Sequence, residues 1–170
     1  MNLDFSEKEF DILLQSTYGR YGYVYDIHSS SIILELDRKT YHTEQTKFPI
    51  AFFVKNNDTL LIHCTDWNNL DVTNLSTQEI LTERINERET KYYLDYFYGE
   101  LTMSPDNSLI ASSGWVWHPA SYIKIINLNT WLTKNIHEPE EQNNTGYCIM
   151  SYYRDRALCW LDNESILLLE

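Results

Sequence analysis

Residues 96–127, YFYGELTMSPDNSLIASSGWVWHPASYIKIIN, decide the fold. Gly99–Met103 alternates as a strand. Ser104-Pro105-Asp106-Asn107 is a tight turn, because proline presets φ and Asp and Asn tolerate left-handed backbone. Ser108–Ser113 returns as a second strand, an aromatic loop crosses over, and Tyr122–Ile126 supplies a third. Three short strands joined in this way form an antiparallel meander.

The same pattern recurs upstream. Residues 13–34 lie over residues 61–82 without a gap at an offset of 48, with Leu13 on Leu61, Thr17 on Thr65, Val24 on Val72 and Ile32 on Ile80. NNDTLLIHC (56–64) matches PDNSLIASS (105–113) at an offset of 49, and VTNLST (72–77) matches IINLNT (125–130) at 53, so the loop between has gained four residues. DNESILLLE (162–170) repeats the turn-then-strand once more. The second copy reads as four strands: Pro49–Val54, Thr59–Cys64, Asn69–Thr73 and Gln78–Thr82.

Four-stranded units recurring every ~40–50 residues are the pattern of β-propeller blades. A two-sheet sandwich also uses short strands at regular spacing, but it does not predict the internal repeat. The expected fold is therefore all-β: a β-propeller of about three and a half blades in an incomplete ring, with blades near 1–37, 48–83, 97–133 and 156–170. Ser6-Glu7-Lys8-Glu9 has the form of a helix capping box before Phe10, Leu13 and Leu14. The repeat instead makes Phe10–Ser16 a strand. Residues 83–92 and 134–146 read as long, polar, charged loops between blades, and the Glu79, Glu83, Arg84, Glu87, Arg88 and Glu89 cluster as a solvated charge run. Since closed propellers use four to eight blades, a longer chain or partner chains are expected to complete the ring.

SPDNSLIASSG resembles the second-strand motif of WD40-like propellers, and the string 66–84 followed by 93–119 is similar to a group of bacterial propeller proteins. The resemblance spans roughly 48–170 and implies a fold, not a chemistry. No Gly-His opens a unit and no Trp-Asp closes one, so the structural His–Asp network of WD40 repeats is not carried over.

Composition narrows the function. The 170 residues carry a formal charge of −12, which argues against a nucleic-acid or anionic-membrane partner. The three cysteines, Cys64, Cys148 and Cys159, are far apart, and the N-terminal stretch is acidic without an apolar core. Both features point to a cytoplasmic protein with reduced thiols.

Strand order places the loops between second and third strands on the same rim as the loops between units. There the aromatic content is concentrated: Asp66 and Trp67 in one unit, Trp115, Trp117 and His118 in the next. These five are the expected binding residues, since large aromatics in loops anchor interfaces and clefts. The competing role, for at least one of the two tryptophans, is a plug between neighbouring blades.

His63 and Asp66, with His118 in the corresponding loop, are the set nearest to a metal site. The spacing is not of the HxH or CxxC kind, and ordinary strand-end roles are expected instead. No GxSxG elbow surrounds Ser112 and Ser113, and no Gly-rich phosphate loop is present. No catalytic residue, metal or cofactor is assigned. The expected function is a non-catalytic binding or scaffold module for a protein or small ligand. The alternatives are a metal-dependent hydrolase or lyase acting at the channel mouth, and the propeller of a larger peptidase-like chain.

Overall fold

The computed structural model describes residues 11–15, 17–85, 88–117, 120–141, 149–151 and 157–168, and they form an all-β protein with little helix. Four antiparallel sheets follow one another along the chain. The first holds β1 (Asp11–Gln15), β2 (Tyr21–Asp26) and β3 (Ser31–Asp37). The second holds β4 (Ile50–Lys55), β5 (Asp58–Asp66), β6 (Asn69–Asn74) and β7 (Glu79–Ile80). β8 (Phe97–Met103), β9 (Leu109–Val116), β10 (Ala120–Asn127) and β11 (Ile149–Ser151) make the third, and β12 (Leu158–Trp160) with β13 (Ile166–Leu168) the fourth. Within each sheet every strand pairs with its neighbour in sequence.

The strands are short and carry apolar residues on both faces because the inner sheets are covered on both sides. In β5, Leu60, Ile62 and Cys64 pack against the third sheet, on Tyr96, Tyr98, Ile110, Ile126 and Trp131. Leu61, between them, packs the other way, with Val24 and Leu36 of the first sheet and with Phe48. The third sheet turns Ala111 and Ile123 towards Leu158, Trp160, Ile166 and Leu168 of the fourth. Each fully enclosed aliphatic side chain of this kind contributes about 2 kcal/mol. The core is thus three successive layers between four sheets.

The copies agree in register where the repeat is strongest. Leu61 pairs with Thr73 in the second sheet, and Ile110 pairs with Ile126 in the third, which are equivalent pairs in the alignment. The first sheet is displaced by one residue: Leu13 faces Val24, whereas the equivalent pair in the second sheet is Ile62 with Val72. Asp11–Gln15 is extended, which excludes a helix there; Phe10, Ser16 and the capping-box residues 6–9 lie outside the described residues. In the fourth sheet the alternation is inverted. Ile166 and Leu168 face the third sheet and Leu167 is left 41% exposed, although Leu167 aligns with the inward Leu61 and Ile110.

Two expectations for residues 83–146 need correction. The Asn-Leu-x-Thr segment of the third copy is not a turn into a fourth strand. Asn127 caps a short helix, α1 (Leu128–Thr133), its side chain accepting from Thr130 N–H at 2.9 Å. The fourth strand, β11, comes some twenty residues later, beyond the 97–133 boundary.

The two polar stretches are also not uniformly solvated. The Arg84 side chain is 2% exposed and forms a bidentate pair with Glu140, which sits in a buried 3-10 turn (Glu138–Glu140). Arg84 also donates to Asp71 Oδ1 at 2.8 Å and to the Leu70 carbonyl at 2.9 Å, while Thr82 Oγ1 accepts from Val72 N–H. β7 is only two residues long, so these side chains satisfy the edge of β6 where the ladder stops. The pattern of alternating acids and arginines misled because a charge run has the same composition whether it is solvated or folded over a strand edge.

Candidate binding surface

At one end of the sheets, rings from four other chain segments gather around Phe97, the first residue of β8. Phe97 is 2% exposed. Around it stand Trp67 at 4.6 Å between centroids, Trp115 at 5.2 Å, Trp117 at 5.5 Å and Tyr41 at 5.9 Å, the last stacked within 9° of parallel. His42 meets Trp117 edge-on at 4.9 Å, and Tyr93 meets Trp67 at 6.4 Å. Tilted and edge-to-face contacts match the ring quadrupoles and add to burial.

Local backbone devices aim these rings. β5 carries a bulge between Cys64 and Asp66, immediately before Trp67. β8 carries another between Phe97 and Glu100, where it opposes β9. A bulge bends its strand and turns a side chain that would otherwise face a sheet surface. The second bulge brings Gly99 and Gly114 against backbone: a Cβ on Gly114 would lie 2.3 Å from Phe97 O and 2.2 Å from the Tyr96 ring.

The β3–β4 connection, which brings Tyr41 and His42 to the surface, is organised by Arg38. Its guanidinium is buried and donates to the carbonyls of Gly19, Lys47, Thr43 and Thr46. Burial pulls its pKa below the usual value, and carbonyl dipoles take the place of a carboxylate partner. Thr46 Oγ1 continues the anchorage by donating to the Tyr98 carbonyl at 2.8 Å. His42 and Lys39 adopt positive φ, 48° and 65°, so the loop turns sharply. Between Arg38, Tyr41, His42, Thr46, Trp67 and Phe97 is a depression of about 10 Å³, the room of about one water.

The five expected binding residues divide. Trp67, Trp115 and Trp117 come together in this cluster. Trp115 is in β9, not in a loop, and is 6% exposed; it packs Phe97 and fills the interior. Trp117 is at the β9–β10 turn and 42% exposed. The loop is shorter than 114–121, because β9 runs to Val116 and β10 starts at Ala120. Asp66 is part-buried and accepts the Trp67 N–H at 2.7 Å. His118 lies outside the described residues. Tyr41 and His42 were missed; Tyr93 and Phe97 belong to the aromatic run 92–98, which is expected to pack between units rather than to bind. Tyr41 and His42 precede the second copy in a stretch without repeat partners, and only the shared rim of inter-unit loops pointed to them.

His63 is a core residue. Its Nδ1–H donates to the Cys64 carbonyl at 3.2 Å, since a carbonyl can only accept, and Nε2 therefore accepts from Thr73 Oγ1 at 2.9 Å. Burial lowers its pKa to about 4, so the ring is neutral. Both nitrogens are committed to the sheet. Among the described residues no three His, Cys, Asp or Glu side chains converge as a metal-holding group. Burial also pushes the Cys64 thiol and the Tyr96 and Tyr98 phenols up. These groups are enclosed by protein and stay protonated. No described helix is long and apolar enough to cross a membrane.

No protein-family model matches the chain, and no curated protein matches it in sequence. Among solved structures, hydrazine synthase from Kuenenia stuttgartiensis is similar at a TM-score of 0.47 and 14% identity, over 71% of this chain and 31% of that one. The chain spans about a third of the length of that protein, and a likeness of this size carries no assignment of fold or activity.

Proposed function

We propose that the four sheets are blades of a WD40-like β-propeller, and that this cytoplasmic module binds a protein or small ligand without catalysis through its aromatic rim. Three features support the propeller. The sheets are meanders in chain order, they stack in chain order, and the inner two are covered on both faces. The connection leading into β4 also meets β8: Thr46 Oγ1 donates to the Tyr98 carbonyl, and Lys47 Nζ bonds Glu100 at 2.6 Å.

The observation that carries the binding reading is the division within the aromatic cluster. Phe97 and Trp115 are enclosed, while Tyr41 and Trp117 keep 46% and 42% of their surface exposed on top of them. Exposed aromatics seated on a rigid, buried base are arranged as anchors are. The test is a peptide-display selection on the purified chain, followed by binding of the selected peptides to Trp117→Ala and Trp115→Ala. Trp117→Ala is expected to weaken binding at least tenfold with a thermal midpoint near wild type, whereas Trp115→Ala is expected to lose about 3 kcal/mol of stability. Selected peptides that bind Trp117→Ala as well as wild type would overturn the rim as the contact surface.

A further inference from the structure

Building on the rim as a contact surface, we propose that it takes the guanidinium groups of an arginine-containing basic segment of a partner protein. The shape of the surface comes first. A quaternary ammonium needs a cage of rings around a void, and the depression here holds only about 10 Å³. What is presented instead is exposed ring surface, on Tyr41 and Trp117, with one face of Tyr41 stacked on Phe97. A planar guanidinium stacks on an open face without being enclosed, which an ammonium does less well. The chain makes cation–ring contacts on itself: Arg20 lies 4.7 Å over the half-exposed Tyr21, Lys91 Nζ lies 4.6 Å over Tyr92, and inside the fold Arg84 lies 5.8 Å over the buried Trp131.

Charge selects the same ligand. Asp66 is adjacent to Trp67, Glu44 bonds His42 at 2.9 Å, and the exposed Asp95 lies close enough to Tyr93 to act on its phenol. Of the cations nearby, Lys47 is paired with Glu100 and Lys39 with Asp37; Arg38 keeps its charge with its guanidinium turned to four carbonyls, and Arg88, beside Tyr93, is exposed. The whole chain, at −12, draws cationic segments towards it. The rings supply the docking faces and the three carboxylates the charge match.

The experiment titrates the full chain with acetyl-Gly-Arg-Gly-Arg-Gly-amide and with the same peptide carrying citrulline, the neutral isostere of arginine, reading tryptophan fluorescence. The arginine peptide is expected to bind about tenfold tighter than the citrulline peptide, with about a tenfold loss in Trp117→Ala or Tyr41→Ala. Asp66→Asn combined with Asp95→Asn is expected to weaken only the arginine peptide and to flatten its salt dependence. Equal binding of both peptides that still requires Trp117 overturns the cationic ligand and leaves the rim standing. No binding of either peptide at millimolar concentration likewise overturns the cationic ligand. Binding of the arginine peptide that is indifferent to both ring variants overturns the cationic site and the rim together.

Discussion

His63 illustrates how one residue is decided by its surroundings. As a sequence feature, a histidine three residues from an aspartate in a polar strand end invites metal chemistry. In the sheet it is a neutral spacer joining β5 to β6 through Thr73. Its folded pKa of about 4 against 6.5 means the unfolded chain binds the extra proton as pH falls from 6.5 to 4. The stability tied to a neutral His63 is therefore complete above pH 6.5 and is lost towards pH 4, a difference of about 3 kcal/mol. Asp71 and Glu140, whose pKa values burial raises, work in the opposite sense. The clean measurement is thus a comparison: urea unfolding at pH 7 and pH 4.5 in wild type and His63→Gln, with the acid loss reduced in the variant. Equal losses in both would show that His63 titrates normally. Arg38 and Arg84 belong to the same scale. Each is an arginine in a polar stretch, and nothing in its neighbours announces that one gathers four carbonyls and the other closes a strand edge.

At the scale of elements, β5 to β10 were legible because alternation and turn residues reinforce each other. The second sheet falls within one or two residues of the expected strands, except that Gln78–Thr82 shrinks to Glu79–Ile80. The bulges were not legible, since an extra residue in one strand leaves no trace in its hydrophobic pattern. Their glycines make a sharp prediction. Gly114→Ala would drive a Cβ to 2.2 Å from the Tyr96 ring and 2.3 Å from backbone oxygen, whereas at Gly22 the nearest atom is the flexible Leu36 Cδ1 at 3.3 Å. Gly114→Ala is expected to cost about 3 kcal/mol in chemical denaturation, and Gly22→Ala well under 1 kcal/mol. Similar costs for the two would mean that the β8–β9 bulge relaxes to admit a methyl group. The α1 helix was missed for a different reason: Asn127 suits a turn and a helix cap equally, and only the packing of Leu128 and Trp131 into the core selects the helix.

For the whole molecule, the order of the sheets follows the order of the chain, and each sheet meets its chain neighbours. Radial blades and a linear stack both satisfy that rule, and they differ in the rotation from one sheet to the next. The propeller predicts that the rotations from first to second and from second to third sheet share one axis in a crystal structure of the protein; two unrelated axes would remove the propeller. The one-residue displacement in the first sheet and the inverted alternation of β12–β13 mark where the copies diverge. The aromatic rim also belongs to this scale, because its five segments are separated by up to 76 residues (Tyr41 to Trp117) and meet only when two sheets and the loops between units are in place.

By itself the sequence determined that the chain is β and that its strands return on themselves in antiparallel meanders. Those properties are local: side-chain alternation and turn chemistry act over a handful of neighbouring residues. The tertiary structure decided which polar residues are enclosed, which of Trp115 and Trp117 is buried, and that Tyr41 and His42 join them. Burial and ring contacts depend on distance in space, and two residues far apart in the chain carry no mark of each other until the sheets between them have stacked.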